Sequence, residues 1–161
     1  MTTRVHIAVL GAGLPGPRHE TLAEEVGRRL AEAGAVVVCG GLGGAMAAAC
    51  RGAKSAGGLT VGLLPGTDRA DANPWVDVAI PTGLGEGRNV LVVRSADAAV
   101  AVGGEYGTLA EIALALRAGV PVVGLATWTL VRPDGTADTG LMPAADPAMA
   151  VALALAAAIR R

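Results

Sequence analysis

The sequence contains no phenylalanine, one tyrosine and two tryptophans. Aromatic residues make up 2% and hydrophobic residues 52%, so the core has to be aliphatic, built from Val, Leu, Ile and Ala. Basic runs are missing too: 13 Lys and Arg stand against 14 Asp and Glu, a formal net charge of −1. Electrostatic capture of nucleic acid needs a cationic patch, so no nucleic-acid partner is expected. No stretch reaches the ~18 uninterrupted apolar residues of a membrane span, and the N-terminus has no long apolar signal core. A cytoplasmic protein with no membrane partner is the default expectation. Cys39 and Cys50 have neither metal-ligand nor redox spacing and read as small buried apolar residues. The 161 residues suffice for one domain, residues 1–161, whose core needs no disulfide and no metal.

What the chain does have is aliphatic runs of strand length alternating with helical segments. Strands are expected at 5–10, 35–38, 59–64, 76–80, 97–102 and 120–126. Helices are expected at 19–33, 44–56, 87–95, 108–118 and 147–159. In the first helix Leu22, Val26, Leu30 and Ala33 share a face, and Gly34 ends it. In the helix at 108–118 the apolar stripe is Leu109, Ile112, Ala113 and Leu116. Asp146 followed by Pro147 reads as an N-cap with proline at the first helical position. The stretch 136–145 reads as irregular. The strand runs are apolar throughout rather than alternating, which implies a sheet covered on both faces. The expected fold is α/β: a Rossmann-like three-layer sandwich with a parallel sheet between helices.

The 24 glycines cluster at strand ends. One turn runs Gly11-Ala12-Gly13-Leu14-Pro15-Gly16, a second Gly40-Gly41-Leu42-Gly43-Gly44, a third Gly103-Gly104-Glu105-Tyr106-Gly107. Each precedes an expected helix. Ligands of open parallel sheets bind beyond the carboxyl ends of the strands. Glycine there allows close backbone approach, and a helix N-terminus offers free N–H groups that suit phosphate. The first turn matches G-x-G-x-x-G, but Pro15 and Pro17 forbid a helix beginning among its glycines. The acidic residue that would bind a ribose near the end of the second strand is also missing. A nicotinamide dehydrogenase is therefore not the leading reading.

His6 and His19 have no Cys or carboxylate partners at ligand spacing, so no metal bound by side chains is expected. Ser55 and Ser95 lack a nucleophile-elbow setting. Asp68, Arg69, Asp71 and Asn73 form a polar loop that reads equally as a pocket rim or as a solvated surface. Thr108-Leu109-Ala110-Glu111 reads as a capping box, with Glu111 bonding back to the helix start. A charge at Arg88, between Gly87 and the apolar run 90–93, calls for a reason, and ligand binding supplies one.

Taken in order, residues 40–46, Gly62-Leu63-Leu64-Pro65-Gly66, Gly87-Arg88-Asn89 and residues 103–111 resemble the Lonely Guy (SLOG) superfamily, whose members were long mislabelled lysine decarboxylases. The short branch that includes molybdenum cofactor carrier proteins is the most similar. The resemblance implies a homodimer or higher homo-oligomer holding a phosphorylated small molecule, a nucleoside monophosphate or molybdenum cofactor, with no cofactor required otherwise. It implies ligand-binding roles for Gly11, Gly13, Gly41, Gly43, Gly44, Met46, Arg88, Gly103, Gly104, Gly107 and Thr108. Hydrolases of the superfamily cleave the N-glycosidic bond of nucleoside 5′-monophosphates, and their catalytic arginine and glutamate fall on Arg88 and Glu111. Their motifs P-G-G-x-G-T-x-x-E and M-H-x-R-K are altered here. Gly103 stands for proline, Glu105 for the second glycine, Gly85 and Glu86 for Met-His, and Asn89 for lysine. The altered motifs point towards a binding or carrier protein. A phosphoribohydrolase using Arg88 and Glu111 is the alternative.

Overall fold

The computed structural model describes residues 3–159. Its strands are β1 (His6–Gly11), β2 (Val36–Cys39), β3 (Thr60–Leu64), β4 (Val78–Pro81), β5 (Ala98–Val102), β6 (Val122–Leu125) and β7 (Leu141–Ala144). Its helices are α1 (Pro17–Glu32), α2 (Ala45–Ser55), α3 (Asn89–Arg94), α4 (Tyr106–Arg117) and α5 (Pro147–Ile159). The strands form one sheet in the order β4-β3-β2-β1-β5-β6-β7, with every neighbouring pair parallel. One face packs against α1, α2 and α5, the other against α3 and α4. Strands covered on both faces can be apolar at every position, and β2, β5 and β6 are buried throughout. The edge strand β4 alternates between exposed and half-buried.

The order of connections decides where a ligand can sit. The chain starts at β1 in the middle, steps outward to β4, then crosses back to β5 and steps outward to β7. The turns after β1 and β5 therefore lead away in opposite directions and leave a crevice at their carboxyl ends. Register pairs Gly11 with Val102, which brings the turn after β1 beside the turn after β5.

Two glycines allow α1 and α2 to touch backbone to backbone. A Cβ on Gly27 would stand 1.9 Å from the Ala49 carbonyl oxygen, and one on Gly52 would stand 1.9 Å from that of Glu24. This contact anchors the middle and the last turn of α2 on α1.

Three expectations need correction. The stretch 136–145 is not wholly irregular, since Leu141–Ala144 is a seventh strand. Pro143 hides it from propensity, yet an edge strand tolerates a proline because one side has no partner. Helix α4 starts at Tyr106, so Thr108 lies within its first turn and no side-chain cap bond forms. The capping box is therefore absent. The buried face of α4 is Thr108, Glu111, Ile112 and Ala115, with Ala113 exposed and Leu109 and Leu116 only half-buried. Alanine and leucine recur so densely along this helix that the apolar pattern does not fix its rotation. Elsewhere, α1 begins at Pro17 after the glycines, and the Asp146 carboxylate accepts from the Met149 N–H at the start of α5.

Candidate functional site

The crevice between β1 and β5 holds a cavity of about 410 Å³. The turn after β1 contributes Gly11, Ala12, Gly13 and Leu14 to its walls, and α2 contributes Met46. Arg88 enters from the turn ahead of α3 and Asn89 from the first position of α3, Glu105 stands just before α4, and α4 contributes Gly107, Thr108 and Glu111. Gly107 and Thr108 belong to the first turn of α4, whose backbone N–H groups have no helical acceptor and carry the positive end of the helix dipole.

Arg88 is the cationic side chain of the cavity wall, and it is only 8% exposed. A 3-10 turn over Gly85–Arg88 carries it in from the surface. Its Nη2 donates to the Gly40 carbonyl oxygen at 3.4 Å, and its Nη1 donates to Asn89 Oδ1. Its Nε is buried with no hydrogen-bond partner. A Cβ at position 40 would lie 2.6 Å from Nη2, so glycine there makes room for the guanidinium. A buried guanidinium with an unpaired donor is costly unless an anion completes it.

Glu111 is 9% exposed and one helical turn beyond Thr108. Burial pushes its carboxyl up to about 7, against the pull of nearby Arg88, which favours the ionised form. Neither residue takes part in an ion pair among the described residues. The sign of the pH dependence follows. An acid with a folded pKa near 7 and an ordinary unfolded pKa near 4.5 keeps its proton in the native state while the unfolded chain has lost it. Its contribution to stability is whole below the unfolded value, falls as pH rises between the two, and stays low above about 7. Glu111→Gln is therefore expected to stabilise the protein at pH ~8 by on the order of 2 kcal/mol, the gain vanishing below pH ~4.5. Chemical denaturation of both proteins across that range measures it.

Among the residues expected at a site, the structure brings Gly11, Gly13, Met46, Arg88, Gly107, Thr108 and Glu111 to one cavity. Gly41, Gly43, Gly44, Gly103 and Gly104 do not line it. The second glycine turn stands behind the first as a support. Gly44 has φ +65°, and a Cβ there would lie 2.3 Å from the Gly13 carbonyl oxygen and 2.4 Å from that of Ala12. The Ala45 N–H donates to the same Ala12 oxygen at 3.0 Å. Gly103, at φ +56°, lies against the ring of His19, and Gly104 lies against Thr108.

The polar loop of Asp68, Arg69, Asp71 and Asn73 does not rim the cavity. Asn73 Nδ2 instead braces the second turn, donating to the Leu42 carbonyl oxygen at 2.9 Å and to that of Gly41 at 3.3 Å. Cys39 and Cys50 are fully buried as expected, and their Sγ atoms meet at 3.5 Å. Ala12, Leu14 and Asn89 are wall residues that sequence reading passed over. Their signal was adjacency to glycines and to Arg88 and, for Asn89, its place where the hydrolase motif has lysine. Among the described residues no group of three or more His, Cys, Asp or Glu is placed to hold a metal ion, and no helix is long and apolar enough to cross a membrane.

A seven-stranded parallel sheet between two helical layers, with its crevice at the switch point, defines a Rossmann-like α/β protein. Within that class, the chain belongs to the SLOG cluster4 family, whose profile matches residues 4–151. An uncharacterized protein of Archaeoglobus fulgidus is 46% identical over 121 residues, 75% of this chain and 80% of that protein. The molybdenum cofactor binding protein of the phototrophic bacterium Rippkaea orientalis has a similar structure, with a TM-score of 0.87 and 32% identity over 97% of this chain and 98% of that one. The Moco carrier protein of Chlamydomonas reinhardtii has a TM-score of 0.86 and 36% identity over 99% of this chain and 100% of that one.

Proposed function

We propose that this chain binds a small phosphorylated ligand in the β1–β5 crevice and carries it unchanged, molybdenum cofactor being the cargo. The observation that carries this reading is Arg88, buried in the cavity wall with its Nε unpaired, beside the open N-terminus of α4. A phosphate there would meet a guanidinium fork, the Thr108 hydroxyl and the free N–H groups of a helix start. Leu14, Met46 and the glycine backbone offer apolar surface to the rest of the ligand. Among the described residues no cysteine or histidine lines the cavity. The protein's grip therefore falls on the anionic and apolar parts of such a cargo and not on its metal. The kinship with the cofactor-binding proteins of Rippkaea and Chlamydomonas supports this choice of cargo.

A second reading, nucleoside monophosphate hydrolysis, draws support from Arg88 and Glu111 lining the same cavity. One experiment tests both. The protein is titrated with molybdenum cofactor and with adenosine 5′-monophosphate, and the products are examined. Saturable binding without ribose 5-phosphate is expected. Failure of every phosphorylated compound to saturate the protein would end the carrier reading, and ribose 5-phosphate lost on Glu111→Ala would replace it with the hydrolase.

A further inference from the structure

We propose that Glu111 holds the bound anion as a neutral carboxylic acid, donating its proton to a ligand oxygen, so that ligand uptake is accompanied by proton uptake. This rests on the reading that the cavity takes a phosphorylated ligand. It gives Glu111 a binding role that neither a helix cap nor a hydrolytic base would supply.

The charges of the cavity wall carry the argument. Its titratable residues are Arg88, Glu105 and Glu111. With both carboxyls ionised, the wall would oppose an incoming dianion. Glu105 is exposed at the mouth and can turn to water. Glu111 cannot, because it sits on the buried face of α4 between Thr108 and Ile112. Helix α3 packs against α4 through Val92 and Val93 and keeps Arg94 exposed, away from the cavity wall, and among the described residues the other elements around Glu111 bring no compensating charge. The turn after β1 offers Gly11 to Leu14, α2 offers Met46, and β5 and β6 are aliphatic apart from one glycine. Beneath lies the buried Cys39 thiol at the end of β2. His19 of α1 rests on Gly103, outside the cavity wall. Among the described residues Arg88 is thus the one cationic group of the wall, and it serves both the ligand and Glu111.

When an anion pairs with the Arg88 guanidinium, Glu111 loses part of the field that favours its ionised form and gains a negative neighbour. Both changes raise its proton affinity, from a starting point that burial has already set near 7. Protonated, it becomes a donor aimed at the anion, and repulsion turns into a charge-assisted hydrogen bond.

Calorimetry tests this with adenosine 5′-monophosphate as probe at about pH 8, in several buffers of different ionisation enthalpy. A phosphomonoester with its second pKa near ~6 is then fully dianionic, so protons taken up belong to the complex. The wild-type protein is expected to take up close to one proton, and its affinity to fall about tenfold per pH unit between about pH 7.5 and 8.5. Glu111→Gln is expected to bind with no uptake and a flat pH profile, whereas His19→Gln behaves as wild type. Wild-type binding without proton uptake overturns this inference alone, as does uptake that persists in Glu111→Gln. Absence of wild-type binding of adenosine 5′-monophosphate and of molybdenum cofactor alike overturns the ligand reading and this inference with it. The wild-type measurement decides the matter even if a variant fails to fold.

Discussion

Replacing Arg88 by methionine is expected to weaken binding of a phosphorylated ligand on the order of a hundredfold while leaving the free protein at least as stable as before. The two effects go in opposite directions for one physical reason. Arg88 is buried with an unpaired Nε, so the unliganded protein carries a desolvated and incompletely bonded charge. Methionine is unbranched and apolar, reaches as far as the position of Nε, and leaves no unmet donor there. Removing the guanidinium also removes the one influence that lowers the Glu111 pKa, so that carboxyl stays neutral over a wider pH range. Arg88→Lys keeps the charge but not the fork and is expected to fall between the two, about tenfold weaker than wild type. Calorimetric titration and thermal unfolding of the same three proteins check both halves. A structural arginine would show the reverse pattern, lost stability together with lost binding.

Gly52→Ala is expected to destabilise the fold by about 2–3 kcal/mol, lowering Tm by about 5–10 °C. Helix propensity alone predicts the opposite, because alanine within a helix gains about 1 kcal/mol over glycine. The structure reverses the sign. The new Cβ would stand 1.9 Å from the Glu24 carbonyl oxygen and 2.8 Å from its carbon, atoms of backbone that cannot swing aside. The two helices would have to separate, and α2 carries Met46 into the cavity wall. Gly27→Ala meets Ala49 in the same way and is expected to behave alike. Gly13→Ala, with nothing within 4 Å of its Cβ, serves as the control with little loss of stability. Thermal and denaturant unfolding of the three variants measures the contrast.

Much of this protein was legible from its residues, and the reasons differ between elements. Buried strands declare themselves as unbroken aliphatic runs, and α1 declares itself by period and by Gly34, whose φ is +79°. Strand β7 did not, because four residues with a central proline carry no periodic signal. The cavity was legible in its parts, since glycines at the ends of β1 and β5 mark a crevice whatever the ligand. Which glycines face it was not. Gly44 and Gly103 look like Gly11 and Gly13 in the sequence, yet the first packs behind the Ala12–Gly13 turn and the second under His19. Only the relative placement of the loops separates lining from support.

The same division holds for Glu111. Its position three residues after Thr108 satisfies the local pattern of a capping box, and local pattern alone cannot exclude it. Whether α4 starts at Thr108 or two residues earlier depends on how its first turn packs over the ends of β1 and β5. Starting at Tyr106 turns the carboxyl into the cavity with Arg88. The order of apolar runs and glycine turns was thus enough to determine a parallel sheet, its helical layers and the sheet edge at which the glycine turns gather, because these follow from short-range periodicity and backbone freedom. The burial of Arg88 and the raised proton affinity of Glu111 were decided by tertiary structure alone. Each depends on the field and the excluded volume of groups far apart in the chain, and no neighbouring residue carries that information.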